Sequence, residues 1–117
     1  MSWDKLLPLE HDEQVTFIQW CDSHKVLVFA IPNGSNKSKV AQGRFKAEGL
    51  RAGIPDLMIP IARKPYNGLF IEMKRRAKSS TSKAQKEWII VLKQQGYSAE
   101  IAKGCDEAIR ITEEYLK

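Results

Sequence analysis

The sequence predicts an α/β domain, a mixed sheet with helices packed against it, and three observations predict this. Apolar runs of helical and strand spacing alternate in the order helix, strand, helix, strand, strand, helix, strand, helix. Two strands flanking the turn-forming stretch Arg63 to Gly68 read as an antiparallel hairpin. The strand, helix and strand between Leu69 and Ala102 read as a right-handed parallel crossover. A length of 117 residues suits one domain, 1–117, with enough chain to bury a core.

Each element has its own justification. Pro8 to Lys25 is a helix, with Pro8 suited to a helix start and Val15, Phe17, Ile18 and Cys21 as its apolar stripe. Val26 to Ile31 is β-branched and apolar, hence a strand, and Pro32 to Asn36 is a turn. Val40 to Leu50 has helical spacing, against which Gly43 and Gly49 weigh. Asp56 to Ile61 and Leu69 to Lys74 are the hairpin strands, and Arg75 to Ser82 is a polar, basic loop. Thr81 to Gln95 is a helix that turns Trp88, Ile89, Val91 and Leu92 inward and stops at Gly96. Tyr97 to Ala102 is a strand, and Gly104 to Lys117 a helix carried by Ala108, Ile109, Ile111 and Leu116.

Several classes of function are excluded or disfavoured. No apolar run reaches the roughly 20 residues of a membrane span, and the start of the chain lacks a secretory pattern, so the expectation is a cytoplasmic, intracellular protein without a membrane partner. Cys21 and Cys105 are far apart and belong to no Cys-x-x-Cys pair, which predicts buried reduced thiols. His11 and His24 are too few and too scattered for a zinc site.

Charge is segregated. The stretches Lys37–Arg51 and Arg63–Lys86 hold 13 of the 19 basic residues and 2 of the 14 acids. Such a basic half is the footprint of a polyanion-binding surface. Lys37, Lys39, Arg44, Lys46 and Arg51 on one side, and Arg75, Arg76, Lys78, Lys83 and Lys86 on the other, are the candidate grips on a nucleic-acid backbone. Phosphate contacts of this kind position a duplex without reading its sequence.

Between the two basic stretches lies Pro55-Asp56 and, within the second, Ile71-Glu72-Met73-Lys74. Strand alternation sends Glu72 and Lys74 to one face and Ile71 and Met73 to the other. A hairpin centred near Pro65 pairs residues whose numbers sum to about 130, placing Asp56 across from Lys74 and diagonal to Glu72, roughly 7–8 Å away at the backbone. Two carboxylates converging on one spot repel unless a cation separates them, and Mg²⁺, which takes oxygen ligands, suits the position. The Met73 carbonyl is a further candidate oxygen, and Lys74 is placed to steady charge on a phosphate. These parts suit phosphodiester hydrolysis.

Pro55-Asp56 followed by Glu72-x-Lys74 resembles the PD-(D/E)XK nuclease superfamily, whose fold is restriction-endonuclease-like. More narrowly, the chain resembles the virus-type replication-repair nuclease (VRR-NUC) family. The narrower likeness rests on Glu10-x-x-x-Gln14, on Gly49 and Gly53 leading to Asp56, on Leu69-Phe70-Ile71 leading to Glu72, and on Lys83-x-Gln85 with Trp88 before Gly96-Tyr97. It implies that Asp56 and Glu72 bind a catalytic Mg²⁺ or Mn²⁺, that Lys74 is the catalytic lysine, and that Gln85 orients water or phosphate. It also implies an acid from the first helix, Glu10 or the competing Glu13. The activity implied is that of a DNA endonuclease, structure-selective and acting as a homodimer on branched DNA such as four-way junctions. Trp3, Trp20 and Tyr115 are candidates for a dimer interface or for the core. The small size points to a stand-alone, phage-type enzyme. The competing expectations are a binding module on a nuclease-like fold and, further off, sequence-specific restriction or RNA cleavage.

Overall fold

A computed structural model describes residues 6–32 and 38–117. The predicted grips and contacts at Lys37 and Trp3, and the turn residues 33–36, lie outside the described residues. The elements are α1 (Glu10–Ser23), β1 (Phe29–Ala30), α2 (Lys39–Ala47), β2 (Leu57–Ile59), β3 (Leu69–Lys74), α3 (Lys83–Gln94), β4 (Ser98–Lys103) and α4 (Cys105–Leu116). The four strands form one mixed sheet in the order β1-β2-β3-β4. The first two pairings are antiparallel and β3-β4 is parallel, joined through α3 as a β-α-β unit.

The sheet separates two apolar layers. Leu57, Ile59, Leu69, Ile71 and Met73 pack with Phe17 and Cys21 of α1 and with Cys105, Ala108 and Ile111 of α4. Phe70 and Ala99, on the opposite face, pack with Leu92, Trp88 and Ile89 of α3. β3 is central and buried along its whole length. Both cysteines are buried free thiols in the α1/α4 layer.

Some expectations need correction. The inward stripe of α1 is Glu13, Phe17 and Cys21, while Val15 is exposed. Residues 13, 17 and 21 repeat at four, and 15 falls off that line. In α3, Val91 is likewise exposed, and Leu92 with Trp88 and Ile89 does the packing. β1 is shorter than Val26–Ile31 because its partner ends early: the pairing Phe29↔Met58 would set Leu27 against Pro60, which has no N–H for a ladder.

The hairpin register also differs. Leu57↔Ile71, Met58↔Phe70 and Ile59↔Leu69 each sum to 128, and the turn closes through the bridge Arg63↔Tyr66. The arm from Ile59 to Arg63 carries one residue more than the arm from Tyr66 to Leu69, which shifts the strands relative to a symmetric turn. Extending the register sets Asp56 directly opposite Glu72 rather than opposite Lys74. The shift is by an even number, so the faces are as expected.

Trp20 and Tyr115 act within the chain. Trp20 stacks on Phe17 at 6.1 Å and on His24 at 4.4 Å between ring centroids. The Tyr115 hydroxyl donates to the Ile61 carbonyl at 2.7 Å. Among the described residues, no helix is long and apolar enough to cross a membrane.

Candidate metal centre

Three acids from three parts of the chain meet at the end of β3. Glu72 lies on β3, Asp56 stands just before β2, and Glu10 opens α1. One carboxylate oxygen from each lies within 4.8 Å of the other two. Glu72 is 3% exposed, far more buried than an acid on a solvated strand face would be.

The backbone fixes this arrangement. Asp56 is held at both ends of its residue: its carbonyl accepts from the Ile31 N–H at 2.7 Å, and its Oδ2 accepts from the Met73 N–H at 2.7 Å. The carbonyls of Gly68 and Lys74 accept from the β4 side. Alternation along the strand therefore turns the Met73 N–H and carbonyl to the other edge, beyond the end of β2 and beside Asp56.

Lys74 shares the face of Glu72 and is 8% exposed. Its Nζ donates to Gln85 Oε1 at 2.9 Å. The same oxygen accepts from the Ser82 N–H at 2.9 Å, while Ser82 Oγ accepts from the Gln85 N–H at 3.1 Å. This capping box satisfies backbone donors at the start of α3 and locks the amide that Lys74 uses. Gln85 is thus aimed at Lys74, and Ser82, which sequence reasoning did not single out, holds it there. The signal was present as Ser82-x-x-Gln85.

Electrostatics follow from the crowding. Burial above all pushes the Glu72 carboxyl up to about 9. A hydrogen bond with Asp56, and the charge of Asp56, act in the same direction, with a smaller push from Glu10 and partial relief from Lys74. Glu10 is also raised, by desolvation first and then by Asp56, with Lys74 opposing. Without a cation, this crowding favours the protonated carboxyl of Glu72.

The donor set fits a hard divalent cation. Oxygens around Mg²⁺ at about 2.1 Å lie roughly 3–4 Å from one another in an octahedron, so a span of 4.8 Å needs only a small contraction. Asp56, Glu72, Glu10 and the Met73 carbonyl are the groups that would hold it. Glu13, the alternative to Glu10, is turned away and paired with Arg76 at 2.9 Å.

The candidate DNA grips fall into two sets. Lys39, Arg44 and Lys46 on α2, Lys78 before α3, and Lys83 and Lys86 on α3 are exposed. Lys83 lies 3.8 Å from Glu87 in an exposed pair. Arg51 is exposed, and its guanidinium donates to the Lys46 and Leu50 carbonyls. Arg75, half-buried, and Arg76, exposed over 44% of its side chain, are instead engaged within the chain. Arg75 donates to the carbonyls of Pro8 at 3.2 Å and Leu7 at 3.1 Å, and Arg76 holds Glu13.

The fold has counterparts among known proteins. The model of the VRR-NUC domain family matches residues 4–106. A solved structure described as a VRR_NUC domain protein superposes with a TM-score of 0.82 at 33% sequence identity, over 94% of this chain and 89% of the other. No curated protein matches the sequence.

Proposed function

Since the chain belongs to the VRR-NUC family of nuclease domains, we propose that it is a Mg²⁺- or Mn²⁺-dependent deoxyribonuclease that cuts branched DNA, such as four-way junctions, by structure rather than sequence. The observation that carries this reading is the convergence of Glu10, Asp56 and Glu72 beside the Lys74 ammonium.

A divalent cation held by these acids supplies Lewis acidity at the phosphodiester and lowers the cost of deprotonating a water. The chain's own groups do the rest. Asp56 is fixed by the Met73 N–H, so its carboxylate would be oriented for a cation in advance. Lys74, steadied by Gln85, offers its ammonium to the charge that develops on the phosphoryl oxygens as water adds and the ester oxygen departs. The layer of Ile71 and Met73 behind the site keeps this end of β3 rigid.

Lys39, Arg44 and Lys46 on α2 and Lys83 and Lys86 on α3 would contact phosphates on either side of the cut. Contacts of that kind select shape and charge, which favours branched duplexes over a particular sequence. Two equivalent strands call for two sites, so the acting form is a homodimer.

The test is cleavage of linear duplex, single strand, flap and four-way junction, in DNA and in RNA, with EDTA, Mg²⁺ or Mn²⁺. The expected result is metal-dependent cutting of the junction, lost in Asp56→Ala, with DNA binding retained. Salt-dependent binding without cleavage under any divalent ion would instead mark a binding module.

A further inference from the structure

Glu10 reaches the other two acids against opposition. Three acids, Glu10, Asp12 and Glu13, crowd the first turn of α1. The N-cap residue before it, Leu9, offers no side-chain cap. Asp56 and Glu72 also face Glu10, and like charges that close repel. The repulsion from Asp56 and Glu72 therefore opposes the approach of this end of α1 to the sheet.

Two consecutive arginines leave β3 directly after Lys74 and grip α1 on both sides of Glu10. The Arg75 guanidinium takes the carbonyls of Leu7 and Pro8, just before the helix. The Arg76 guanidinium takes the carboxylate of Glu13, three residues after Glu10 and 6% exposed. Gly104 makes room for the second grip. It sits at φ +91°, and a Cβ there would lie 2.5 Å from Arg76 Cγ and 2.6 Å from Glu13 Oε2. Its N–H donates to the Lys74 carbonyl at 2.9 Å, so the grip is anchored to the strand that carries the site.

We propose that Arg75 and Arg76 are positioning residues for the metal centre: they staple the first turn of α1 to the end of β3 and so hold Glu10 in the ligand set. This assigns them a role other than gripping DNA, and it rests on the divalent-metal reading above. Groups that orient metal ligands typically change metal affinity about 10- to 100-fold when removed.

The experiment measures Mn²⁺ affinity by calorimetry on the folded chain without DNA, for the parent, Arg75→Ala, Arg76→Ala, Glu10→Ala and the two Arg/Glu10 double variants. Each arginine variant is expected to bind Mn²⁺ about tenfold or more weakly, and to add no further loss once Glu10 is gone. DNA affinity in EDTA, and its dependence on salt, are expected to stay at the parental level. Arg75→Ala removes bonds to carbonyls that water can replace, so it reads the proposal even where Arg76→Ala, with Glu13 stranded, does not fold. Parental Mn²⁺ affinity in a folded arginine variant overturns the inference. So does a loss that adds to that of Glu10→Ala, or a fall in DNA affinity in EDTA with a shallower salt dependence. A parent chain that binds no Mn²⁺ overturns the metal reading itself, and this inference with it.

Discussion

Lys74 and Gln85 are joined across the space between β3 and α3 by a 2.9 Å hydrogen bond, and the amide oxygen that accepts it also closes the helix cap. One side chain therefore serves both the stability of α3 and the aim of the lysine. Gln85→Ala is expected to cost about 1 kcal/mol through the lost cap and to slow cleavage. Lys74→Ala is expected to slow cleavage by about 10²-fold or more while leaving DNA affinity intact. Thermal melting and single-turnover rates on a junction substrate separate the two effects.

The raised Glu72 carboxyl makes the metal-free protein sensitive to pH. In the unfolded chain this group loses its proton near its ordinary value of 4.5, whereas in the fold it keeps it up to about 9. Between those limits the folded state binds more protons than the unfolded one, so stability falls as pH rises. In EDTA the melting temperature is expected to drop from pH 5.5 to pH 8.5, and Glu72→Gln to flatten that slope and melt higher at pH 8.5. Mn²⁺, which needs the ionised carboxylate, is expected to stabilise the parent more at pH 8.5 than at pH 5.5. Scanning fluorimetry at the two pH values checks all three.

Gly104→Ala meets two obstacles, a left-handed backbone and a side-chain collision with Arg76 and Glu13. The expected loss is at least about 1–3 kcal/mol from backbone strain alone, read from urea denaturation. Weaker Mn²⁺ binding is expected in the fraction that folds.

Lys39→Ala and Lys46→Ala are expected to weaken binding about equally for any DNA sequence and to lower the slope of log affinity against log salt by about 1 each. Their effect on stability is expected to stay within about 0.5 kcal/mol, since no residue of α2 is buried. Binding titrations at three salt concentrations, alongside denaturation, test this.

Much of the site was legible because strand alternation is strict. Reading Leu69 to Lys74 as a strand put Glu72 and Lys74 on one face whatever the exact register, and the register did differ from a symmetric turn. The unequal arms around Arg63↔Tyr66 decided it, and turn symmetry carried no trace of them. The choice between Glu10 and Glu13 was also open, although Glu13 lies four and eight residues before Phe17 and Cys21 and so belongs to the buried stripe. A buried acid needs a cation, and Arg76 is that cation. Charge composition groups Arg75 and Arg76 with the surface lysines, because it does not show which guanidinium groups are consumed by carbonyls and carboxylates of the same chain.

β3 interleaves two vocabularies in six residues: Leu69, Ile71 and Met73 belong to the packed layer, and Glu72 and Lys74 to the chemistry. Between Ile71 and Lys74 the two are separated only by parity. A single inserted or deleted codon between Leu69 and Glu72 would exchange them, pressing acid and ammonium into the oily layer and exposing its aliphatic groups to the phosphate. A change of two would restore the faces but carry Glu72 past Asp56. The length of this strand is therefore more tightly constrained than the identity of most residues in it.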